Sequence, residues 1–123
     1  MSNAARPLVA VLGGGQLGWM LGLAGEPLGL DFRFLDPSPD ATAGSVGELV
    51  VGALDDEPAL VATATGAEVV TYEWEGVPAA SAEMLIARGH RLEPSTRALE
   101  VAQDRLSEKQ TFAALGIGLP PYR

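Results

Sequence analysis

Five consecutive apolar residues, Leu8-Val9-Ala10-Val11-Leu12, run straight into three glycines. An apolar run of that length reads as a strand buried on both faces. The glycines open the segment Gly13-Gly14-Gly15-Gln16-Leu17-Gly18, in which Gly13, Gly15 and Gly18 satisfy G-x-G-x-x-G at the start of a helix. Such a turn is tight, lets backbone N–H groups approach an anion, and sits at the positive end of the helix dipole. A strand, a glycine turn and a helix in that order commit the chain to the α/β class, because a parallel strand needs a crossover helix before the next one.

The rest of the chain continues the pattern. Leu17, Met20, Leu21 and Ala24 recur at helical spacing from Gln16 to Ala24, and Gly25, Pro27 and Gly29 close that helix. Phe32 to Asp36 reads as a second strand, stopped by Pro37 and Pro39, and residues 37–47 read as a loop. Leu49 to Gly52 is a third strand, and Asp55 to Thr65 an acid-started helix. Glu68 to Glu75 is the clearest strand of all, followed by a helix from Pro78 to Ala87. Arg91-Leu92 suggests a small fifth strand, and Thr96–Ala102 and Arg105–Leu115 are helical, the second capped by Asp104 and closed by Gly116.

These spacings give right-handed βαβ units and a Rossmann-like, three-layer domain with a mainly parallel sheet, in the order 3-2-1-4. In such a sheet ligands bind beyond the carboxyl ends of the strands where the order reverses. That crevice is lined by the glycine turn on one side and by Tyr72-Glu73-Trp74-Glu75 on the other.

Two classes of ligand compete for this crevice. Asp36, at the end of the second strand, stands where dinucleotide enzymes place the acid that holds a ribose, so an NAD(P)-binding Rossmann domain is one reading. A non-catalytic nucleotide-binding module is another. Against both, Gln16 puts a polar side chain inside the turn, and Glu73 and Glu75, two apart on one strand, share a side. Two carboxylates beside a pyrophosphate repel it, whereas they suit a ligand with amino or hydroxyl donors. Tyr72 and Trp74, alternating with the acids, then face the core; Trp19 packs or edges the pocket. His90, the one histidine, falls at a turn. No nucleophile–base pair and no metal-ligand cluster stands out, so catalytic and metal residues are expected to be none.

Charge narrows the partners. The net charge is −8, which argues against nucleic acid or an anionic membrane as partner. Residues 88–123 carry six basic groups against four acidic ones, and Arg105 and Lys109 share a helix face there that suits a phosphate or another domain. With no cysteine there is no disulfide framework, and a reducing, cytoplasmic setting fits. No apolar run suggests a membrane span. Met1-Ser2-Asn3-Ala4 reads as a cloning scar, and residues 1–6 are set apart as a leader.

Several of these segments, taken in order, resemble the 5-(carboxyamino)imidazole ribonucleotide synthases of the ATP-grasp superfamily. The resemblance begins at Gly13-Gly14-Gly15-Gln16-Leu17-Gly18 with Met20-Leu21, and passes through Leu35-Asp36-Pro37 and Val70-Thr71-Tyr72-Glu73-Trp74-Glu75-Gly76-Val77-Pro78. It ends in Pro94-Ser95, Ala98-Leu99, Gln103-Asp104-Arg105-Leu106, Glu108-Lys109 and Leu115-Gly116-Ile117. It departs from the usual pattern at Trp19, where arginine is common, and at Gly76, where asparagine or histidine is.

The resemblance implies a pre-ATP-grasp substrate domain over residues 7–103, with 104–123 starting the connection to an ATP-grasp domain not in this chain. The implied enzyme is a ligase of purine (IMP) biosynthesis, a homodimer that uses ATP, Mg and bicarbonate, through carboxyphosphate, to carboxylate aminoimidazole ribonucleotide. The resemblance places Gly15, Gln16, Leu17 and Glu73, with Glu75 beside them, against the substrate, and Arg105 against ATP. ATP and Mg are held mostly by the domains absent here, so this chain alone is expected to be inactive.

Overall fold

The computed structural model describes residues 4–122; the first three residues of the expected leader lie outside it. Four strands form one all-parallel sheet: β1 (Leu8–Leu12), β2 (Asp31–Asp36), β3 (Glu48–Val51) and β4 (Val69–Tyr72), in the order β3-β2-β1-β4. The α/β class and the strand order agree with the sequence. β1 is central, with Ala10, Val11 and Leu12 fully buried, as its unbroken apolar run requires.

The alternation of the strands divides the core in two. Ala10, Leu12 and Leu35 face one layer, built by α2 (Glu57–Ala64), α3 (Ala79–Ala87) and α4 (Thr96–Gln103). Val11, Phe32 and Phe34 face the other, built by α1 (Gln16–Gly25) and a 3-10 turn at Thr42–Ser45. The final helix, α5 (Arg105–Ala114), lies against α4.

Caps explain where the helices start. Asp56 accepts from Ala59 N at 3.1 Å and Asp104 accepts from Ser107 N at 2.8 Å, so α2 begins two residues later than its acidic run suggests and α5 begins where expected. Arg33 closes the other end of α2. Its guanidinium donates to the carbonyls of Ala62, Thr63 and Thr65 at 3.3, 3.2 and 2.7 Å, taking acceptors that the end of the helix leaves unpaired. Arg6, read from the sequence as leader, donates to Leu30 O at 2.9 Å and pairs with Glu26 and Asp31.

Two expectations about the strands are corrected, and the packing of α1 adds a finding. The apolar stripe of α1 does not face the sheet: Leu17, Met20 and Leu21 are 59%, 51% and 39% exposed, Ala24 is exposed too, and the buried residues are Gly18, Gly22 and Gly25. The cause is β2. The rings of Phe32 and Phe34 stack with centroids 5.9 Å apart and fill the interlayer space. A Cβ on Gly25 would stand 2.3 Å from Phe32, and one on Gly22 2.4 Å from Val46, so the helix can only lie this close on its glycines.

The fifth strand reduces to one bridge, Val70 with Leu92, because Pro94, two residues on, cannot donate to a ladder. The fourth strand ends at Tyr72 and not at Glu75. Glu73 makes one long bond to Leu12 O at 3.4 Å, after which the chain turns at Glu75-Gly76.

Candidate functional site

The register of the sheet builds the site. Leu12 stands opposite Leu35 on one side and Tyr72 on the other. The next residue along each strand is therefore Gly13, Asp36 or Glu73, and the glycine turn emerges between two acids. Gly13 takes φ +108°, a left-handed backbone that glycine tolerates and side chains rarely do.

Both acids turn onto the loop. Asp36 accepts from Gly14 N at 2.9 Å with one oxygen and from Ser38 N at 2.9 Å with the other. Glu73 Oε1 accepts from Gly15 N at 3.4 Å. A Cβ on Gly13 would stand 2.8 Å from Glu73 Oε1, so the glycine is required for the carboxylate to lie over the turn. The anion that the sequence motif calls for is thus supplied by the chain itself. Glu73 Oε2 accepts no hydrogen bond from the described residues, which leaves an acceptor for a donor group from outside.

The predicted site residues separate into those the fold brings together and those it does not. Gly15 and Glu73 are in contact. Gln16 and Leu17 open α1 directly beyond them and are exposed, so their side chains border the same turn. Glu73 and Glu75 both lie past the strand, so the two-residue alternation does not set their sides. Glu75 is exposed, and it meets the rest of the protein through its carbonyl.

Arg105 is remote from the turn in its contacts. Its side chain is 86% exposed, with Glu108 at 3.5 Å, and it lines a groove of about 600 Å³ on α5 together with Leu106, Lys109 and Tyr122. That groove does bring Arg105 and Lys109 onto one surface. Among the described residues no three His, Cys, Asp or Glu side chains gather to hold a metal ion, and no step is assigned to one on this chain.

The aromatic residues of the segment part company. Tyr72 packs against the first core layer and its hydroxyl donates to Ser95 O at 3.3 Å, as a core-facing residue should. Trp74, expected beside it in the core, is 53% exposed, since it too lies beyond the strand. Its indole covers Gly76, where a Cβ would meet the ring at 2.3 Å; the glycine at that position follows from the tryptophan. Trp19 packs in the second core layer. His90 lies in the turn after α3, as expected.

Burial raises the Tyr72 phenol above its ordinary 10.0. The folded protein therefore keeps this proton to higher pH than the unfolded chain. Its contribution is whole below pH 10.0 and is lost as pH rises through the folded value. Tyr72→Phe is expected to flatten the alkaline limb of stability against pH, measured by urea unfolding. An unchanged limb in the variant would place the loss elsewhere.

Sequence reasoning missed two residues. Asp36 drew notice as a ribose acid, not as the anchor of the turn. Gln103 stood in the segment that carries the resemblance but was given no role; its carboxamide donates to Glu75 O at 2.9 Å and Val77 O at 2.5 Å. No periodicity marks a glutamine for this role.

Known proteins are similar to this chain in sequence and fold. The ribonucleotide synthetase preATP-grasp domain family matches residues 7–103. The N5-carboxyaminoimidazole ribonucleotide synthase of Pseudomonas aeruginosa is 44% identical over 114 residues, which are 93% of this chain and 31% of that protein. The crystal structure of N5-carboxyaminoimidazole ribonucleotide synthetase from Thermus thermophilus superposes with a TM-score of 0.85 at 60% identity, over 92% of this chain and 31% of the other. An Aspergillus clavatus N5-carboxyaminoimidazole synthase, solved with ADP and 5-aminoimidazole ribonucleotide, gives a TM-score of 0.81 at 30% identity, over 95% and 31%. The chain thus spans under a third of the length of these relatives. Among the described residues no helix is long and apolar enough to cross a membrane.

Proposed function

The chain belongs to the ribonucleotide synthetase preATP-grasp domain family, and from that premise we propose that it is the substrate-side domain of a ligase that carboxylates 5-aminoimidazole ribonucleotide with ATP and bicarbonate. The relatives' names and the ligands of the Aspergillus clavatus structure support that substrate class.

The observation that carries the reading is the pair of carboxylates on the glycine turn. Gly14 N and Gly15 N, the donors that a pyrophosphate would need, are taken by Asp36 and Glu73. Asp36 spends each of its oxygens on a backbone N–H of its own loop, Gly14 N and Ser38 N, which ties the acid to the turn. This weighs against an NAD(P) site and against a simple phosphate cradle. A carboxylate with one free oxygen suits an exocyclic amine or a sugar hydroxyl instead.

In this reading Glu73 accepts from the substrate, Gly15 fixes that carboxylate, and Gln16 and Leu17 form the rim. Glu75 takes an outer place near the same turn. Arg105 reaches ATP from the face it shares with Lys109, and the remaining contacts to ATP and its magnesium come from chain outside these residues. The carboxylation, through carboxyphosphate, then takes place between this domain and that further part of a cytoplasmic, homodimeric enzyme of purine synthesis.

Calorimetry and a phosphate-release assay on the purified chain test the assignment together. NAD and NADP are expected to give no binding heat. ATP is expected not to be hydrolysed, with or without aminoimidazole ribonucleotide, because phosphoryl transfer needs clamps that this chain lacks. Micromolar binding of either dinucleotide, or hydrolysis stimulated by aminoimidazole ribonucleotide, would sink the reading.

A further inference from the structure

We propose that Gln103 is a positioning residue for Glu73, holding the turn that carries the acid and tying it to the start of α5. This rests on the reading of Glu73 as the substrate's acceptor. The segment from Glu73 to Val77 has left the sheet, and the backbone bonds that hold it are long: Glu73 N to Leu12 O and Val77 N to Trp74 O, both 3.4 Å. Its tightest restraint comes from outside. Gln103, the last residue of α4, spends both N–H bonds of its carboxamide on Glu75 O and Val77 O, at 2.9 and 2.5 Å. The other end of α4 is fixed to the same strand, through Tyr72 hydroxyl to Ser95 O at 3.3 Å. The helix therefore braces the 72–77 segment at two points.

The chemistry of the clamp is specific. Two carbonyls can be bridged by an –NH₂ group and not by a carboxylate, which has no donor when ionised. Glutamate at this position would set a negative charge against two carbonyl oxygens, and alanine would leave both without a partner. Gln103 also lies two residues before Arg105, separated only by the Asp104 cap. A shift of α5 when ATP is gripped would reach the acid through this side chain, without any contact between Arg105 and the glycine turn.

The test is steady-state kinetics of Gln103→Ala, Gln103→Glu, Glu73→Gln and the double variant Glu73→Gln/Gln103→Ala, in the complete ligase that carries this chain. Gln103→Ala is expected to raise KM for aminoimidazole ribonucleotide roughly 10- to 100-fold, the scale of a misplaced contact. Gln103→Glu should be worse. KM for ATP should stay within about twofold, which also reports that the variants are folded, as the exposed position of Gln103 implies. If Gln103 acts through Glu73, the double variant loses no more than Glu73→Gln alone. A costly Glu73→Gln with a silent Gln103→Ala, or losses that add, would overturn the positioning role and leave the site reading intact. A silent Glu73→Gln would overturn both.

Discussion

Replacing Phe34 by alanine is expected to remove most of the stability of this chain, while Leu17→Ala is expected to remove almost none. Phe34 is fully buried and stacks on Phe32, and it packs against the backbone of Gly18, Gly22 and Gly47. On the side of Gly18, Gly22 and Gly47 no side chain can move into the space it leaves. The loss should reach the upper range for a large core truncation, about 3–5 kcal/mol. Typical domains have only about 5–15 kcal/mol in all. The melting temperature should fall by roughly 10–25 °C. Gly22→Ala tests the same packing from the helix side. Its new methyl would lie 2.4 Å from Val46 Cγ2, and overpacking of that kind costs about 1–3 kcal/mol. Leu17, 59% exposed, has little burial to lose. Thermal and urea unfolding of the three variants decide the matter. If Leu17→Ala costs more than Phe34→Ala, α1 is turned the other way and the glycine face is the outer one.

That contrast marks where the sequence was legible and where it was not. The strands were readable because β1 is apolar throughout, and only a strand covered on both faces has that composition. Their order followed from the crossover rule, and the site followed from the order, since the reversal between β1 and β4 leaves one crevice. The facing of α1 was not readable. Hydrophobic periodicity gives weight to leucine and methionine and none to glycine, so it marks Leu17, Met20 and Leu21 and is blind to the face that packs. What decides the packing is the size of the rings on β2, which lie in a different part of the sequence.

The end of the fourth strand failed for a related reason. Val70-Thr71-Tyr72 and Trp74 all favour strands, and propensity alone carries the run on to Glu75. The ladder stops because β1, its partner, turns away at Gly13. Glu73 keeps its place over the glycine turn, and Trp74 ends outside the core. The motif itself was read correctly as an anion-accepting turn. Its anion turned out to be two carboxylates 22 and 58 residues further along, which no local pattern reveals.

Glu73→Gln, made in the complete ligase, is the substitution expected to cost most in function. Glutamine keeps the shape, and its carbonyl oxygen still accepts from Gly15 N, so the turn should stay as it is. What disappears is the charge and one acceptor, on the oxygen that the described residues leave free. A hydrogen bond to a charged group contributes about 1.5–3 kcal/mol. At tenfold for each 1.4 kcal/mol, kcat/KM for aminoimidazole ribonucleotide should fall roughly 10- to 100-fold. KM for ATP should change little, because Arg105 and the groove it lines on α5 make no contact with the turn. Glu75→Gln is the control that the fold supplies. An exposed acid has an electrostatic contribution of about 0–1 kcal/mol, so its loss should stay below about fivefold. Steady-state kinetics of the two variants, with each substrate varied in turn, separate the possibilities. A silent Glu73→Gln beside a crippled Glu75→Gln would mean that the turn at Glu75-Gly76 closes onto the substrate and that the wrong acid was chosen. Two silent variants would mean that the carboxylate over the glycine turn serves only the fold.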